Sequence, residues 1–360
     1  MAAGKMLFLA VALVMGPTAA PTGQTQNPFP GAARPPGLTI EVLDSMTRLP
    51  GGLSALPMPP IPRQNPQTQA KVELGRMLFF DRRISRDYSM SCASCHDPVK
   101  AYSDGRATAV GMCQMNLTRR SPSLLNSAYN SMQFWDGRAS SLEGQALQPM
   151  LAASEMGMEN GKALLARLQK VPEYLRRFNE AFGEEINVQD IRRAIAAFER
   201  TLVTLDSAFD RYAGGDKGAL TEQQKRGLIL FIGKGSCTQC HNGPNFTDNK
   251  FHSLGLLPGP QKDLDPGRFA ISKRPADRHA FKTPSLRSAS QESRFMHNGS
   301  ITTLAEVIEF YDQGGGQGAK SNLLFKLQLT AAEKEDLLAF LHALAGHVRD
   351  DDHSWGNGRK

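Results

Sequence analysis

The sequence predicts an all-α protein with long loops, and three features of the chain support this fold class. Apolar residues recur at helical spacing in several segments, whereas the alternation typical of a half-buried strand is nearly absent. Polar residues that favour helix N-termini precede several of those segments. Of the 360 residues, 40% are hydrophobic and 21% are charged, which excludes a wholly disordered chain and allows a sizeable core.

Helical periodicity marks six segments, and capping patterns support three of them. Asn187 is the predicted N-cap of the third segment. Thr221 with Gln224 forms the pattern of a capping box, and Thr330 with Glu333 caps the last segment. In chain order, the predicted helices cover residues 71–80, 161–182, 188–212, 221–232, 302–311 and 331–344.

The N-terminus has the pattern of an export signal. Lys5 supplies a positive charge, an apolar run follows at 6–15, and small residues near Ala20 offer a cleavage site. The run is shorter than the ~20 residues needed to cross a bilayer. The mature protein is therefore expected to be periplasmic, with no membrane span after processing.

The rest of the chain is predicted to form an arm and two related lobes. An apolar helix precedes a cysteine-rich loop in each lobe, and a loop rich in Gly, Pro, Lys and Asp is predicted at 242–278. The predicted divisions are a signal peptide at 1–20, an extended N-terminal arm at 21–69, a first domain at 70–214, a second domain at 215–348 and a frayed tail at 349–360.

The charge balance excludes one class of partner. Lys plus Arg outnumber Asp plus Glu by 42 to 35, which gives a net charge of +7 over the whole chain. Because no run of five basic residues occurs, this excess indicates a solvated basic surface and argues against nucleic acid as a partner. At most it favours an acidic protein.

Four of the five cysteines fall in two identical frames, each with a histidine directly after the second cysteine. A Cys-x-x-Cys pair alone is also compatible with a redox dithiol or half of a zinc site. The adjacent histidine indicates c-type haem, in which both thiols form thioethers and the imidazole binds the iron. The sequence therefore predicts two covalently bound haems, held by Cys92, Cys95 and His96 and by Cys237, Cys240 and His241.

The histidine distribution leaves the second axial position of the first haem open to question. No histidine lies between His96 and His241, so the first lobe offers no second imidazole. Iron held by side chains on both sides transfers electrons, whereas an open position allows oxygen or peroxide chemistry.

The chain resembles the bacterial di-haem cytochrome c peroxidases and their MauG-type relatives over residues 74–346. Beyond the haem motifs, the resemblance is carried by QFWDGR at 133–138, FKTPSLR at 281–287 and FMHNGS at 295–300. It implies two cytochrome c-like haem lobes, a first peroxidatic domain and a second electron-transfer domain.

The resemblance also implies roles for single residues. Trp135 stands where the family has a tryptophan that carries electrons between the haems. Gln145 and Glu155 stand where the family lines the peroxide pocket, and Pro149 matches a pocket proline of the MauG branch. The glutamate is needed because peroxide must lose one proton and gain another for its O–O bond to break heterolytically.

Two departures from the typical peroxidases point towards the MauG branch. Met112 stands where those enzymes have a loop histidine, so the first site stays open unless Met112 itself binds the iron. An open site would not need reductive activation. Cys113, the fifth cysteine, is beside it and has no predicted role. Tyr311 stands where they have a methionine ligand to the second haem, with Met296 as the rival ligand. A phenolate favours oxidised iron and lowers its potential.

The resemblance bears on calcium as well. The family holds a calcium ion between its lobes, but two of its side-chain ligands are replaced here by Arg120 and Glu292. An Arg–Glu pair can take the place of the ion, which argues against calcium in this chain.

The leading hypothesis is a periplasmic di-haem peroxidase that reduces hydrogen peroxide to water. Its electrons would come from a small cytochrome or copper protein. The alternative is a MauG-type enzyme that uses peroxide to oxidise Trp or Tyr side chains of a protein substrate. A third class, a plain electron-transfer cytochrome, has no use for Gln145 and Glu155.

Overall fold

A computed structural model describes Met1 and residues 37–257 and 265–348. The predicted signal peptide beyond Met1, the first part of the arm and the predicted tail at 349–360 lie outside the described residues. The described helices are α1 (Ile40–Ser45), α2 (Gln69–Phe80), α3 (Leu142–Ala146), α4 (Gln148–Leu151), α5 (Gly161–Leu168), α6 (Pro172–Phe182), α7 (Val188–Glu199), α8 (Ala208–Ala213), α9 (Glu222–Ile232), α10 (Phe269–Ser272), α11 (Leu304–Asp312) and α12 (Ala331–His342).

The described part of the chain is mostly helical, as predicted, and its strands are short. Strand β1 (Thr204–Leu205) pairs antiparallel with β4 (His347–Val348), and β2 (Phe251–Ser253) pairs antiparallel with β3 (Ala280–Lys282). Strands of two or three residues are too short to produce an alternating pattern, so they could not be predicted from periodicity. Within the described residues, no helix is both long and apolar enough to cross a bilayer.

Two predicted helices are interrupted. The segment predicted at 161–182 is divided into α5 and α6, because Pro172 begins a new helix at a position where its missing N–H costs nothing. The segment predicted at 188–212 ends as α7 and resumes as α8. Similarly, the long loop predicted at 242–278 contains β2 and α10.

The predicted caps are present. The Asn187 side chain accepts a hydrogen bond from the Asp190 amide at the start of α7. Thr221 with Gln224 and Thr330 with Glu333 form reciprocal capping boxes at α9 and α12.

The helix that precedes each cysteine motif packs against a later helix through a glycine. A Cβ atom on Gly75 of α2 would lie 1.9 Å from the Ala194 carbonyl oxygen of α7. A Cβ on Gly227 of α9 would lie 2.0 Å from the Asp336 carbonyl oxygen of α12. The backbones of each pair therefore touch, and this contact fixes the start of the loop that carries each motif.

The second part of the predicted arm is anchored to the core around α9 and α12. Leu43 and Leu53 are buried in that core. The Asp44 carboxylate of α1 accepts from the Tyr212 hydroxyl at 2.8 Å and pairs with Lys225 Nζ at 2.7 Å. The expectation of an extended arm is thus wrong for this part, because its few apolar residues have a surface on which to be buried.

Candidate functional site

The first cavity has a volume of about 630 Å³ and is bounded by residues from distant parts of the chain. All the site residues predicted for the first haem lie on its walls. They are Cys92, Cys95, His96, Trp135, Gln145, Pro149 and Glu155.

A hydrogen bond to the backbone orients the imidazole of His96. Its Nδ1 atom lies 3.0 Å from the carbonyl oxygen of Tyr102. Because a carbonyl only accepts, Nδ1 carries the proton and Nε2 keeps the free electron pair. Burial lowers the pKa of His96, which also favours the neutral ring. His96 is therefore prepared to bind a metal through Nε2.

His241 has the same arrangement. Its Nδ1 atom lies 3.0 Å from the Phe246 carbonyl oxygen, and burial lowers its pKa. In both motifs the histidine amide also donates to the carbonyl of the first cysteine, at 2.9 Å in the first motif and 2.8 Å in the second. This turn brings the cysteine and histidine side chains to one cavity wall, which is the arrangement that a c-type haem requires.

The four motif cysteines are free thiols in the structure and are buried to an intermediate degree. Burial raises the pKa of Cys92, Cys237 and Cys95, to about 11 for Cys95. Such thiols stay protonated and do not act as catalytic nucleophiles. Their chemistry fits covalent attachment to a cofactor.

Glu155 carries a carboxyl group that has no hydrogen-bond partner among the described residues. Burial raises its pKa, and the charge of Arg138 partly opposes this. Arg138 is held by the Asp136 carboxylate at 3.1 Å and lies over the Phe134 ring, 3.4 Å from its centroid. The site thus contains a proton acceptor with a raised pKa beside a fixed positive charge.

Met112 lies behind the wall of the first cavity. Its amide donates to the Glu155 carbonyl at 2.7 Å, and its side chain packs so close to Gly157 that a Cβ there would be 2.5 Å from the methyl carbon. The residue that does line the cavity is Met115, which is 49% exposed and was not considered from the sequence. Cys113 is exposed and lines neither described cavity.

The second cavity is larger, at about 1030 Å³, and contains the second motif together with both candidate sixth ligands. Cys237, Cys240, His241, Tyr311 and Met296 all lie on its walls. Burial raises the pKa of the Tyr311 hydroxyl, and the nearby sulfurs of the motif cysteines add to the shift. That hydroxyl has no hydrogen-bond partner among the described residues.

Trp135 lines both cavities. Its indole Nε1 donates to the Arg120 carbonyl at 3.1 Å, and the Arg120 guanidinium lies 5.2 Å from the ring centroid. Arg120 forms a buried ion pair with Glu292 and also donates to the Met296 carbonyl at 2.9 Å. The indole that separates the cavities is therefore fixed by a hydrogen bond and a cation.

One group of side chains resembles a metal site. Donor atoms of Cys240, Asp248 and His252 all lie within 4.8 Å of one another. Asp248 already pairs with His252 Nε2 at 2.8 Å and raises the pKa of His252 to about 10. A protonated imidazole does not bind metal, and Cys240 belongs to the haem motif, so this group is assigned no separate ion.

Two further residues of the cavities were given no role from the sequence: Glu199 lies in no motif, and Lys282 lies within the FKTPSLR motif at 281–287. Glu199, at the end of α7, lines the first cavity, and burial raises its pKa to about 8. Lys282 lines both cavities and is only 8% exposed. Hydrophobic periodicity places such residues in the core without showing that they face a cavity.

Two cavities that each hold a Cys-x-x-Cys-His turn and an oriented imidazole, with a tryptophan between them, define a di-haem c-type oxidoreductase. Residues 69–218 match the family described as di-haem cytochrome c peroxidase. The chain is 42% identical over 325 residues to cytochrome-c peroxidase IdrP1 of Pseudomonas sp. (strain SCT), covering 81% of this chain and 85% of that protein. It is 44% identical over 290 residues to methylamine utilization protein MauG of Methylorubrum extorquens, covering 79% of this chain and 81% of that protein.

A solved structure agrees with these relatives. The crystal structure of a MauG-like protein associated with microbial copper homeostasis superimposes with a TM-score of 0.74 at 34% identity, covering 81% of this chain and 93% of that one. The chain therefore belongs to the di-haem cytochrome c peroxidase and MauG family, which confirms the resemblance seen in the motifs. Membership implies two c-type haems and an oxidoreductase that acts on peroxide.

Proposed function

We propose that this protein is a periplasmic di-haem peroxidase that reduces hydrogen peroxide to water with electrons from a redox protein, a small cytochrome or a copper protein. The observation that carries this proposal is the half-buried carboxyl of Glu155, which has no hydrogen-bond partner among the described residues and lies in the same cavity as His96. A protein that only relayed electrons would have no use for a proton acceptor there. The export signal predicted at 1–20 supports the compartment, because c-type haem is attached outside the cytoplasm.

Each cavity would hold one haem, and the chain around each haem would form one cytochrome c-like lobe. Cys92 and Cys95 would form the thioethers of the first, and His96 Nε2 would bind its iron. Cys237, Cys240 and His241 would do the same for the second. When bound, the haem iron supplies the site at which peroxide oxygen is held and electrons are taken up.

The proton transfers fall to Glu155. Reduction consumes two electrons and two protons and releases two waters from each peroxide. A Glu155 carboxylate oxygen accepts the proton from the inner peroxide oxygen and returns it to the outer one, which leaves as water. The amide of Gln145 lines the same cavity and would orient the peroxide, while Pro149 narrows the space open to water.

Trp135 would carry electrons between the two sites, because its indole lines both cavities. Its hydrogen bond to the Arg120 carbonyl holds the ring in one orientation. A fixed ring does not have to reorganise for each transfer.

Tyr311 would be a further ligand of the second haem iron besides His241, with Met296 as the alternative. Burial alone disfavours the phenolate, as the raised pKa of Tyr311 indicates. A bound metal cation reverses that preference by stabilising the anion.

A MauG-type function is the second candidate, in which the electrons come from Trp or Tyr side chains of a partner protein. Two observations favour it. Met112 packs against Gly157, behind the wall of the first cavity, which would leave that site open. Tyr311 lines the second cavity where typical peroxidases have methionine. One relative carries the name methylamine utilization protein MauG.

The test is steady-state turnover of the holoprotein with hydrogen peroxide and reduced cytochrome c. The proposal predicts rapid cytochrome oxidation, and Glu155→Gln should lower kcat/KM for peroxide by about 10²–10⁴-fold because it removes general acid–base catalysis. Glu159→Gln, an exposed acid four residues away, is the matched control and should leave the rate unchanged.

Other outcomes separate the alternatives. Slow cytochrome oxidation combined with a long-lived change in the spectra of both haems would favour the MauG-type function. A holoprotein that shows no reaction with peroxide would contradict both and leave an electron-transfer cytochrome.

A further inference from the structure

Lys282 occupies an unusual position between the two cavities. It lies on β3, is 8% exposed and lines both cavities. Its backbone amide donates to the Trp135 carbonyl at 2.8 Å, which fixes it beside the indole that separates the two sites. A positive charge at this position therefore acts on both sites.

The Lys282 ammonium lacks a counter-ion among the described residues. An ammonium has three donors, but its one hydrogen bond there goes to the Thr283 carbonyl at 3.4 Å, which is long for a hydrogen bond. The charge of Asp248 acts on it, but that carboxylate already pairs with His252 at 2.8 Å. Burial lowers the pKa of Lys282 to about 8, as expected for an uncompensated charge.

Other buried cations of the described chain have firm partners within it. Three examples show the pattern: Lys225 with the Asp44 carboxylate at 2.7 Å, Arg287 with the Asp210 carboxylate at 2.8 Å, and Lys71 with the Pro66 carbonyl at 3.0 Å. Because an unpaired buried charge is costly, the partner of Lys282 is expected to come from outside the chain.

We propose that Lys282 is the shared counter-ion for the carboxylate groups of the two cofactors and that it couples the two sites electrostatically. This inference rests on the proposed function, because it is the haems that bring carboxylates, two propionates each. Ser127 is consistent with an anion on the side of the first cavity, since this residue lies on the cavity wall and its buried hydroxyl has no partner among the described residues.

The consequence is a linked change in two reduction potentials. A nearby cation favours the addition of an electron, so it raises the potential of each haem that it faces. Removal of the cation should therefore lower both potentials. A lysine whose ammonium did not face the cofactors would change neither potential once the protein had folded and taken up its haems.

The experiment is a spectroelectrochemical titration of the holoprotein. Lys282→Met should show lower midpoint potentials for both haems, Lys282→Arg should largely restore them, and Lys250→Met, an exposed lysine on the neighbouring segment, should leave them unchanged. Unchanged potentials, or a shift of one haem only, in a Lys282→Met protein with two haems would overturn the inference.

Haem content per chain is measured first, because it separates the two claims. Fewer than two haems in the wild type would contradict the proposed function and this inference together. If Lys282→Met does not take up both haems, Lys282→Gln takes its place in the titration. If Lys282→Met and Lys282→Gln both lose haem and Lys282→Arg keeps two haems, a cation is required at this position, as proposed. If Lys282→Arg also loses haem, the inference is overturned.

Discussion

Each proximal histidine is oriented by a backbone carbonyl. The Tyr102 carbonyl holds Nδ1 of His96, and the Phe246 carbonyl holds Nδ1 of His241, both at 3.0 Å. These carbonyl contacts matter because a hydrogen bond at Nδ1 fixes the tautomer of the imidazole and strengthens Nε2 as a metal ligand. Both sites thus reach the same metal-binding geometry with acceptors that no substitution of a side chain removes.

The raised pKa of Glu155 sets a pH dependence for the first site. Only the carboxylate can accept a proton from peroxide, so activity should fall as the pH drops through the pKa of Glu155. Because burial raises that pKa, the loss should begin above the ordinary range of glutamate, about 4.3. The measurement is a pH profile of kcat/KM for peroxide. Glu155→Gln should have a low rate without this acid limb, and an acid limb that persists in the variant would count against the role of Glu155.

Tyr311 gives a second prediction at this scale. If its oxygen binds the second iron, Tyr311→Phe should change the absorption and EPR spectra of one haem and leave the other unchanged. Tyr88→Phe, a 54% exposed tyrosine, serves as the control and should alter neither. Identical spectra for Tyr311→Phe and the wild type would point instead to Met296.

The residues that could be predicted are those whose chemistry fixes their spacing. The Cys-x-x-Cys-His frames specified six positions because thioether and imidazole bonding needs them within one turn. Glu199 could not be predicted, since a buried charge that faces a cavity has no local sequence pattern. Lys282 stands in the FKTPSLR motif, but the motif does not show that its side chain faces both cavities. Met112 illustrates the same limit, because only the packing against Gly157 shows that it lies behind the cavity wall.

Among the helices, two glycine contacts define the internal repeat better than the apolar pattern does. Gly75 lets α2 touch α7, and Gly227 lets α9 touch α12. Of these four helices, α2 and α9 each precede a cysteine motif. What the two halves share is therefore a close helix–helix contact at a glycine, which sets where the loop with the cysteine motif begins.

This close contact predicts a stability defect. Gly75→Ala should gain about 1 kcal/mol of helix propensity but place a methyl group 1.9 Å from the Ala194 carbonyl oxygen. The steric cost exceeds this gain in helix propensity, so the free energy of unfolding should fall by about 1–3 kcal/mol in denaturant titrations. Gly218→Ala, in an exposed loop where the new Cβ has only a 3.4 Å contact, should change it by less than about 0.5 kcal/mol. Equal effects would contradict the contact.

The elements were predictable where caps and periodicity agree. The caps at Asn187, Thr221 and Thr330 are present because their side chains satisfy amides that the helix leaves free. The break at Pro172 was visible in the sequence, but apolar periodicity continued across it. The short strands depend on pairing between distant segments and left no local pattern.

Across the whole molecule, the buried pair of Arg120 and Glu292 joins two distant segments. Arg120 also lies against Trp135 and binds the Met296 carbonyl. A permanent guanidinium thus provides a fixed positive charge beside the wall between the cavities. The contact between these residues could not be predicted from the sequence, because they are far apart in the chain.

The pair predicts that the fold does not depend on calcium. Treatment of the holoprotein with EDTA should leave Tm unchanged, and added calcium should not raise it. Arg120→Met should instead destabilise the protein by about 3–5 kcal/mol, because Glu292 would be left buried and unpaired. The double variant with Glu292→Met should recover part of that loss. A Tm that falls with EDTA and returns with calcium would show that the pair does not replace an ion.

The central claim is that the first site is open to peroxide while the second is closed by a side chain. The most direct measurement is the EPR spectrum of the oxidised holoprotein as isolated, with haem content measured on the same sample. We expect two haems per chain, one high-spin ferric and one low-spin ferric. Two low-spin haems would mean that a side chain also binds the first iron, and they would contradict the claim.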